Sequence, residues 1–291
     1  MSNRKLFLKQ SALLTAGIFL LPSCMSKSTK RIGLQLYTLR DIIAPDVSGV
    51  IKKVADIGYQ DVETYGFSAA DGFWKLSPKE LKSLLDENNL KSSSGHYDLE
   101  EFIRTGKEDQ LHATIEAANI LGQEYVTLPF LSEDLRGSAD VFKMIADKMN
   151  KMAETCKKSG LKFAYHNHDF EFKDLGNGET GYKIFMENTD PDLVQFELDI
   201  YWVQHSGNNP ITLFNDHSGR FTMWHVKDMD KTNRDLNTEI GTGAIDFKPI
   251  FNDAKLSGMK YFFVEQENFS QGKDPFQSIK ESFDYINKEL I

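Results

Sequence analysis

Short apolar runs alternate with longer amphipathic runs along the chain after residue 30. The short runs are rich in β-branched and aromatic residues and predict eight strands, at 32–37, 61–64, 91–97, 125–128, 162–167, 194–198, 222–226 and 260–264. The amphipathic runs between them predict helices, with candidates at 47–57, 78–88, 108–121, 139–159, 247–255 and 275–289. Because strands and helices take turns, the pattern predicts a parallel sheet with crossover helices.

Glycine marks several of the predicted helix-to-strand junctions. Gly58, Gly122, Gly160 and Gly258 each follow a helical run and stand just before the next strand. Glycine at such a position can adopt the left-handed conformation that ends a helix. Eight strands with eight helices are the number found in a single-domain (β/α)8 TIM barrel, which takes about 250 residues. The alternative is an open doubly wound sheet, although no Gly-x-Gly-x-x-Gly turn follows an early strand.

The N-terminal segment is typical of an export signal. Arg4, Lys5 and Lys9 precede an almost wholly apolar run at 12–21, which stops just before Cys24. This order of basic, apolar and small residues is that of a secretory signal peptide. The alternative is an N-terminal core helix that happens to follow basic residues.

Two short segments refine this prediction. LPSC, at 21–24, resembles a bacterial lipobox with Cys24 as the lipidated residue, and RKLFLK, at 4–9, resembles a relaxed twin-arginine motif. We therefore expect residues 1–23 to be removed as an export signal, 24–30 to form a short tether and 31–291 to form the barrel. The predicted location is the periplasm, with the membrane contacted only through the lipid anchor.

The charge balance excludes one large class of partners. The chain has 34 Lys and Arg against 43 Asp and Glu, a net charge of −9. Removal of residues 1–23 takes away three basic residues and no acidic one, which leaves 268 residues with a net charge of −12. A nucleic acid partner is not expected, because phosphate backbones require a dense basic surface. Cys156 would be the remaining cysteine, and its position in a helical run predicts a buried side chain without a disulfide.

Ionisable side chains collect where the predicted strands end. They are Glu63, His96, His166, His168, Glu197, Asp199, His225, Lys227, Glu265 and Glu267. Barrel active sites form at the C-terminal ends of the strands. Since residues two apart share one face of a strand, His166 and His168 are expected to point the same way. Imidazole and carboxylate groups that converge from several strands are suitable ligands for Zn²⁺, Mn²⁺ or Fe²⁺.

Six segments in this order resemble the xylose-isomerase-like barrel superfamily. They are IGLQLYTLR (32–40), GYQDVE (58–63), YHNHDFEF (165–172), ELDIYW (197–202), HVKD (225–228) and GTGAIDF (241–247). The superfamily includes sugar phosphate isomerases and epimerases, inosose and dehydroshikimate dehydratases, and endonuclease IV. The resemblance implies a (β/α)8 barrel and one divalent metal ion, which could be Mn, Zn, Fe, Co or Mg.

The resemblance also implies a set of metal ligands. Carried over by position, they are His166, Asp199, His225 and Glu265. His166 departs from the family pattern, because many members have a Glu at this point of strand five. His168 is the alternative ligand on that strand, and Glu267 is the alternative to Glu265. The departure weakens a scheme in which two Glu residues act on opposite faces of a sugar.

Other strand-end residues are candidates for proton transfer and substrate binding. The candidate acid or base groups are Glu265, His168, Glu63 and His96. Lys227 is a further catalytic candidate that could bind a substrate oxygen or form a Schiff base. Candidates for substrate contact are Trp202, Tyr37, Phe170 and Gln266.

These predictions point to an enzyme that acts on a small sugar or polyol. The favoured activity is a metal-dependent isomerase or epimerase that moves a proton α to a carbonyl group. A lyase, dehydratase or keto-glycoside-processing enzyme on the same barrel is the first alternative, and a non-catalytic sugar-binding lipoprotein is the second. The endonuclease branch is disfavoured by the acidic charge.

Overall fold

The computed structural model describes residues 31–176 and 178–291, in which eight parallel strands close into a barrel. The predicted signal peptide, Cys24 and the tether to residue 30 lie outside these residues. The strands are β1 (Gly33–Gln35), β2 (Asp61–Thr64), β3 (Lys91–His96), β4 (Tyr125–Leu128), β5 (Lys162–His166), β6 (Val194–Asp199), β7 (Met223–Val226) and β8 (Tyr261–Val264). The barrel closes where β1 pairs with β8, with Gly33 opposite Phe263. The predicted (β/α)8 barrel is confirmed.

Twelve α-helices lie within the described residues, four more than the sequence predicts. They are α1 (Arg40–Ile43), α2 (Val47–Ile57), α3 (Pro78–Glu87), α4 (Glu100–Thr105), α5 (Asp109–Leu121), α6 (Ala139–Lys158), α7 (Gly181–Asn188), α8 (Ile200–His205), α9 (Pro210–Asp216), α10 (Phe247–Asn252), α11 (Ala254–Ser257) and α12 (Pro275–Glu289). Three of the short ones, α1, α4 and α8, follow β1, β3 and β6 at the C-terminal ends of those strands.

Two predicted elements differ from the structure for local reasons. The first strand ends at Gln35 instead of continuing to residue 37, because the Gln35 side chain accepts a hydrogen bond from the Tyr37 amide and starts a 3-10 turn at Leu36–Leu39. The predicted helix at 247–255 is broken at Asp253, whose amide donates to the Ile250 carbonyl in a tight turn. The chain therefore forms α10 and α11 there.

The predicted glycines at the ends of helices are confirmed. The four predicted junction glycines have φ angles between 74° and 120°, which residues with a side chain rarely adopt. At Gly258 a Cβ would also lie 2.8 Å from the Gly219 carbonyl oxygen, so close packing and backbone conformation both require glycine.

The lower interior of the barrel is filled by an apolar layer. We name Tyr125, Ala164, Met223 and Phe263 the lower layer, because they are buried and pack together inside the barrel. Cys156 is buried on α6, as predicted, and is a free cysteine among the described residues. In the part of the chain that the structure describes, none of the helices has the length and apolar character needed to cross a bilayer.

Candidate active site

A polar layer lies directly above the lower layer on the same strands. His166 follows Ala164 by two positions on β5, and His225 follows Met223 by two positions on β7. Glu265 follows Phe263 in the same way, just past the end of β8. Because side chains two apart share a face, these residues continue the interior of the barrel towards its C-terminal end. The strand alternation that predicts a shared face is thus present in the structure.

The structure brings the four implied metal ligands together. One donor atom from each of His166, Asp199, His225 and Glu265 lies within 4.8 Å of the others, and all four residues are buried. His166 Nε2 is 3.5 Å from Asp199 Oδ2, and His225 Nδ1 is 3.1 Å from Glu265 Oε2 and 3.9 Å from Asp199 Oδ2. Bonds of about 2.0–2.2 Å to a central ion place neighbouring ligands roughly 3–3.5 Å apart. The donor set and its spacing therefore fit one divalent ion.

His166 is prepared for metal binding by its second ring nitrogen. Nδ1 lies 3.1 Å from the Pro129 carbonyl oxygen. Since a carbonyl only accepts, Nδ1 carries the hydrogen and Nε2 presents its lone pair. Nε2 is buried and has no hydrogen-bond partner among the described residues. A metal ion would satisfy this nitrogen, so the histidine that stands in place of the family's glutamate fits the same role.

A second group of ionisable residues lies beside the ligands and is held by hydrogen bonds. His225 Nε2 is 2.7 Å from Glu63 Oε2, and His96 Nε2 is 2.8 Å from Glu197 Oε2. These separations are too short for two ligands on one ion and are typical of hydrogen bonds. Gln35 Nε2 also donates to Glu63 Oε2, at 2.7 Å. Glu63 thus fixes the ring of His225 through Nε2 and leaves Nδ1 for the ion.

The two carboxyl groups of this second group have opposite electrostatics. Burial opposes ionisation of Glu63, but the neighbouring His96 and His225 outweigh it and lower its pKa to about 2. Burial and the nearby Glu63 raise the pKa of Glu197 well above its usual value. Glu63 therefore carries the charge that orients the imidazoles.

Lys227 neutralises the ligand carboxylates from one side. Its side chain is fully buried, and Nζ donates to Glu265 at 2.9 Å, to Asp199 at 3.5 Å and to Glu267. Although burial opposes the charge, Glu265 and Asp199 raise the pKa of Lys227 well above its usual value. A protonated, fully engaged amine is a poor nucleophile, so the arrangement does not favour Schiff-base formation.

A cavity of about 530 Å³ opens above the ligands and can hold a small sugar. We name it the main cavity. Of the predicted substrate-contact residues, Tyr37 and Trp202 line it. Phe170 does not line it, because its buried ring is stacked on that of His168 at 5.7 Å. The lining residues are Tyr37, Tyr65, Gly66, Phe67, His96, Asp98, Pro129, Phe130, His166, His168, Trp202, Glu265 and Glu267.

Two imidazoles reach the main cavity on either side of His166. The ring centres of His96 and His168 each lie 5.0 Å from that of His166. Burial lowers the pKa of His96 to about 4, against the opposing effect of Glu63, and burial lowers the pKa of His168 well below its usual value. Both rings are therefore neutral at pH 7 and able to accept a proton. Of the other three candidates, Glu265 lines the cavity, whereas Glu63 and Lys227 do not.

The strand-end pattern included Glu197 without assigning it a role; in the structure it faces the interior two positions before Asp199, and its Oε2 lies 2.8 Å from His96 Nε2. Two further residues of the site were not singled out from the sequence. Pro129 and Phe130 follow β4, a strand without an ionisable residue at its end, and only the closure of the barrel brings them to His166 and the main cavity.

Comparison with known proteins identifies the family. The model of the xylose isomerase-like TIM barrel family matches residues 51–289. The chain belongs to this family. An inosose dehydratase of Lacticaseibacillus casei is 24% identical over 250 residues, which cover 73% of this chain and 81% of the relative.

Solved structures show the same xylose isomerase-like barrel. A sugar phosphate isomerase/epimerase from Parabacteroides distasonis ATCC 8503 has a TM-score of 0.79 and 26% identity, and the match covers 91% of this chain and 96% of that one. The IolI protein, whose structure contains a zinc atom, has a TM-score of 0.69 over 88% of this chain and 97% of its own. Its identity of 16% shows a shared fold.

Proposed function

We propose that this protein is a divalent-metal-dependent lyase of the dehydratase type, acting on an unphosphorylated keto-sugar or keto-polyol. The observation that carries the proposal is the unpartnered, buried Nε2 of His166, which faces Asp199 beneath a sugar-sized cavity. The inosose dehydratase relatives support elimination, the first alternative from the sequence, more than the favoured isomerase or epimerase activity.

The proposed metal ion is held by His166, Asp199, His225 and Glu265. The zinc in the IolI structure supports an ion of this class in the family fold. When bound, a divalent ion polarises a substrate oxygen and acidifies the adjacent C–H bond. The chain's own residues must then remove that proton and pass one to the leaving hydroxyl group.

We assign proton removal to His96. Its Nε2 faces Glu197 and Glu63, at 2.8 and 3.2 Å, so these carboxyl groups hold the hydrogen on Nε2. Nδ1 is then the basic nitrogen of a side chain that lines the main cavity. The charge of Glu63 also stabilises the imidazolium ion that forms. Among the described residues, no carboxylate is hydrogen-bonded to the His168 ring, because Glu171 accepts from the His168 backbone amide instead. His96 is therefore the better placed base.

This one base is sufficient for the elimination of water. His96 takes the hydrogen α to the carbonyl, and the electrons of the broken C–H bond form the C=C bond. The β C–O bond breaks, and the imidazolium returns its proton to the departing oxygen, which leaves as water. No oxidant or second substrate is needed. His168 and Trp202 are proposed to hold the substrate hydroxyl groups and ring at the opposite wall.

The lining of the main cavity supports an unphosphorylated substrate. Among the described residues that line it there is no Arg or Lys, whereas Asp98, Glu265 and Glu267 contribute carboxylates. A phosphate group needs cationic or amide donors. Hydroxyl groups can donate to these carboxylates, and the aromatic rings can contact the apolar face of a sugar ring.

The test uses the full-length protein, loaded with Mn²⁺, and inosose in D₂O. We expect an unsaturated dehydration product, and we expect His96→Gln to lower kcat by about 10²–10⁴-fold while it keeps the metal. His112→Gln, an exposed position on α5, is the control and should be unaffected. Full activity of His96→Gln would exclude His96 as the base.

The isomerase or epimerase activity is the second candidate, supported by the Parabacteroides relative. It predicts deuterium in a stereoisomer of the substrate and no unsaturated product. The sugar-binding lipoprotein predicts binding without either change. Product analysis by NMR separates the three functions.

We also propose that the protein is an exported lipoprotein. The support is the sequence pattern of basic, apolar and small residues that ends at Cys24. The expected result is a mature protein in the membrane fraction whose first residue is an acylated Cys24. Cys24→Ala should abolish acylation, and an unprocessed Met1 terminus in cells would overturn the proposal.

A further inference from the structure

A second cavity of about 440 Å³ lies next to the main cavity. Its wall includes Leu236 and Asn237–Thr238, the strand that pairs with Asp228–Met229, together with Gln266 and Phe269 from the segment after β8. Gln266, which the sequence predicts as a substrate contact, lines this cavity and not the main one. The mechanism proposed above uses none of these residues.

Glu267 lines both cavities and is held in place from several directions. Its amide donates to Asn237 Oδ1 at 2.7 Å, and its carbonyl oxygen accepts from Arg40 at 2.8 Å. Its carboxylate accepts from Lys227, which also contacts the metal-ligand group. A molecule that is seated over the ligands and extends past Glu267 therefore enters the second cavity.

Hydrogen bonds connect the loops that border the second cavity. The buried Asp228 carboxylate accepts hydrogen bonds from the amides of Gly241, Gly243 and Ile245, at 2.9 to 3.1 Å. Asn237 Oδ1 accepts from the amides of both Glu267 and Asn268. Such bonds fix the loops on both sides, and a preformed cavity loses little entropy on binding.

The chemistry of the lining indicates the kind of group that would fit. Leu236 is 42% exposed, which is unusual for a large apolar side chain, and Phe269 is half-buried. Gln266 is buried, and its Oε1 has no hydrogen-bond partner among the described residues. Asp41 and Asp230 add carboxylates, and no Lys or Arg is among the described residues of the lining. Apolar surface combined with hydrogen-bond acceptors suits a neutral, hydroxylated ring and not an anion.

We infer that the second cavity is a substrate subsite, so that the substrate is a keto-glycoside with one ring in each cavity. This inference rests on the proposed function. The reacting keto ring occupies the main cavity, and the attached sugar contacts Leu236 and donates hydroxyl hydrogens to the carboxylates of Asp41 and Asp230. Single-ring substrates fill only half of the site.

The experiment compares two probes on the metal-loaded, full-length protein. They are a keto-glucose and the disaccharide in which the same keto ring carries a glucose unit. We expect the disaccharide to bind at least about tenfold more tightly by calorimetry, because it buries apolar surface and adds hydrogen bonds to the carboxylates of the second cavity. Leu236→Ala should reduce this preference to within about threefold and leave the affinity for the single ring unchanged. Met144→Ala on α6, 37% exposed, is the matched control.

The outcomes separate the two proposals. Equal affinities for both probes in the wild type, or a preference that survives Leu236→Ala, would overturn the subsite even if the single ring is dehydrated. A disaccharide preference that depends on Leu236, without any turnover, would support the subsite and overturn the proposed activity. Failure of both probes to bind would overturn the subsite.

Discussion

The two layers inside the barrel use the same strands for opposite purposes. The lower layer, with Ala164, Met223 and Phe263, is apolar and tightly packed. Two positions further along the same strands, the polar layer has His166, His225 and Glu265. Burial stabilises the first set and destabilises the charged forms of the second. A single step of two residues along each strand therefore separates the part of the barrel that stabilises the fold from the part that does chemistry.

The largest expected effect comes from the polar layer. His166→Ala removes the imidazole whose Nε2 has no protein partner, so we expect bound metal to fall from about one equivalent to almost none. Activity should fall on the order of 10³-fold, because the bound ion supplies several kcal/mol to the transition state. Metal analysis and kcat measure both effects. His112→Ala is the control, and a variant that keeps a full equivalent of metal would contradict the ligand assignment.

The lower layer should show the opposite behaviour. Phe263→Ala leaves a cavity among Tyr125, Ala164 and Met223, and the free energy of unfolding should fall by about 3–5 kcal/mol. Metal content per folded molecule should stay the same. Denaturant titration and metal analysis give the two values. Loss of metal from the folded variant would show that the layers are not independent.

A buried carboxyl group beside the polar layer makes stability depend on pH. Burial raises the pKa of Glu171 to about 8, above its value of about 4.5 in an unfolded chain. The stability that the protonated form contributes is complete below pH 4.5 and is lost as the pH rises through 8. As the pH rises from 5 to 7, ionisation linked to this group should lower the free energy of unfolding by about 2–3 kcal/mol.

Glu171→Gln tests this dependence. Glu171 accepts hydrogen bonds from the Tyr165 hydroxyl and the His168 amide, and glutamine can bond to both groups. The variant should therefore lose less stability than the wild type between pH 5 and 7. Denaturation curves at the two pH values provide the measurement, and identical pH slopes for both proteins would show that Glu171 is ionised in the folded state.

The smallest effect is expected where a carboxylate only orients a ligand. Glu63→Gln keeps the shape but weakens the hold on His225 Nε2, so metal affinity should fall about 10–100-fold. Saturating metal should restore full occupancy, unlike in His166→Ala. Competition with a chelator measures the affinity. An unchanged affinity would place Glu63 outside the metal centre.

Much of this architecture could be read from the sequence because its signals are local. Strand alternation gave the shared face of Ala164, His166 and His168, and Gly122 and Gly258 marked helix ends by a backbone requirement. Strand-end position collected the four implied metal ligands. Phe170 illustrates the limit. The pattern places it near the strand end, but its ring stacks on that of His168 and it is not among the residues that line the main cavity.

By itself, the sequence determined the order of strands and helices, the acidic charge and the residues able to bind a metal, since each depends on neighbours along the chain. Only the tertiary structure decided which nitrogen of His166 is free, that Glu63 and Glu197 hold His96, and that Gln266 faces a second cavity. Such contacts join residues far apart in the chain, 101 positions for Glu197 and His96 and 162 positions for Glu63 and His225. Their distances are set by closure of the barrel, which no local pattern contains.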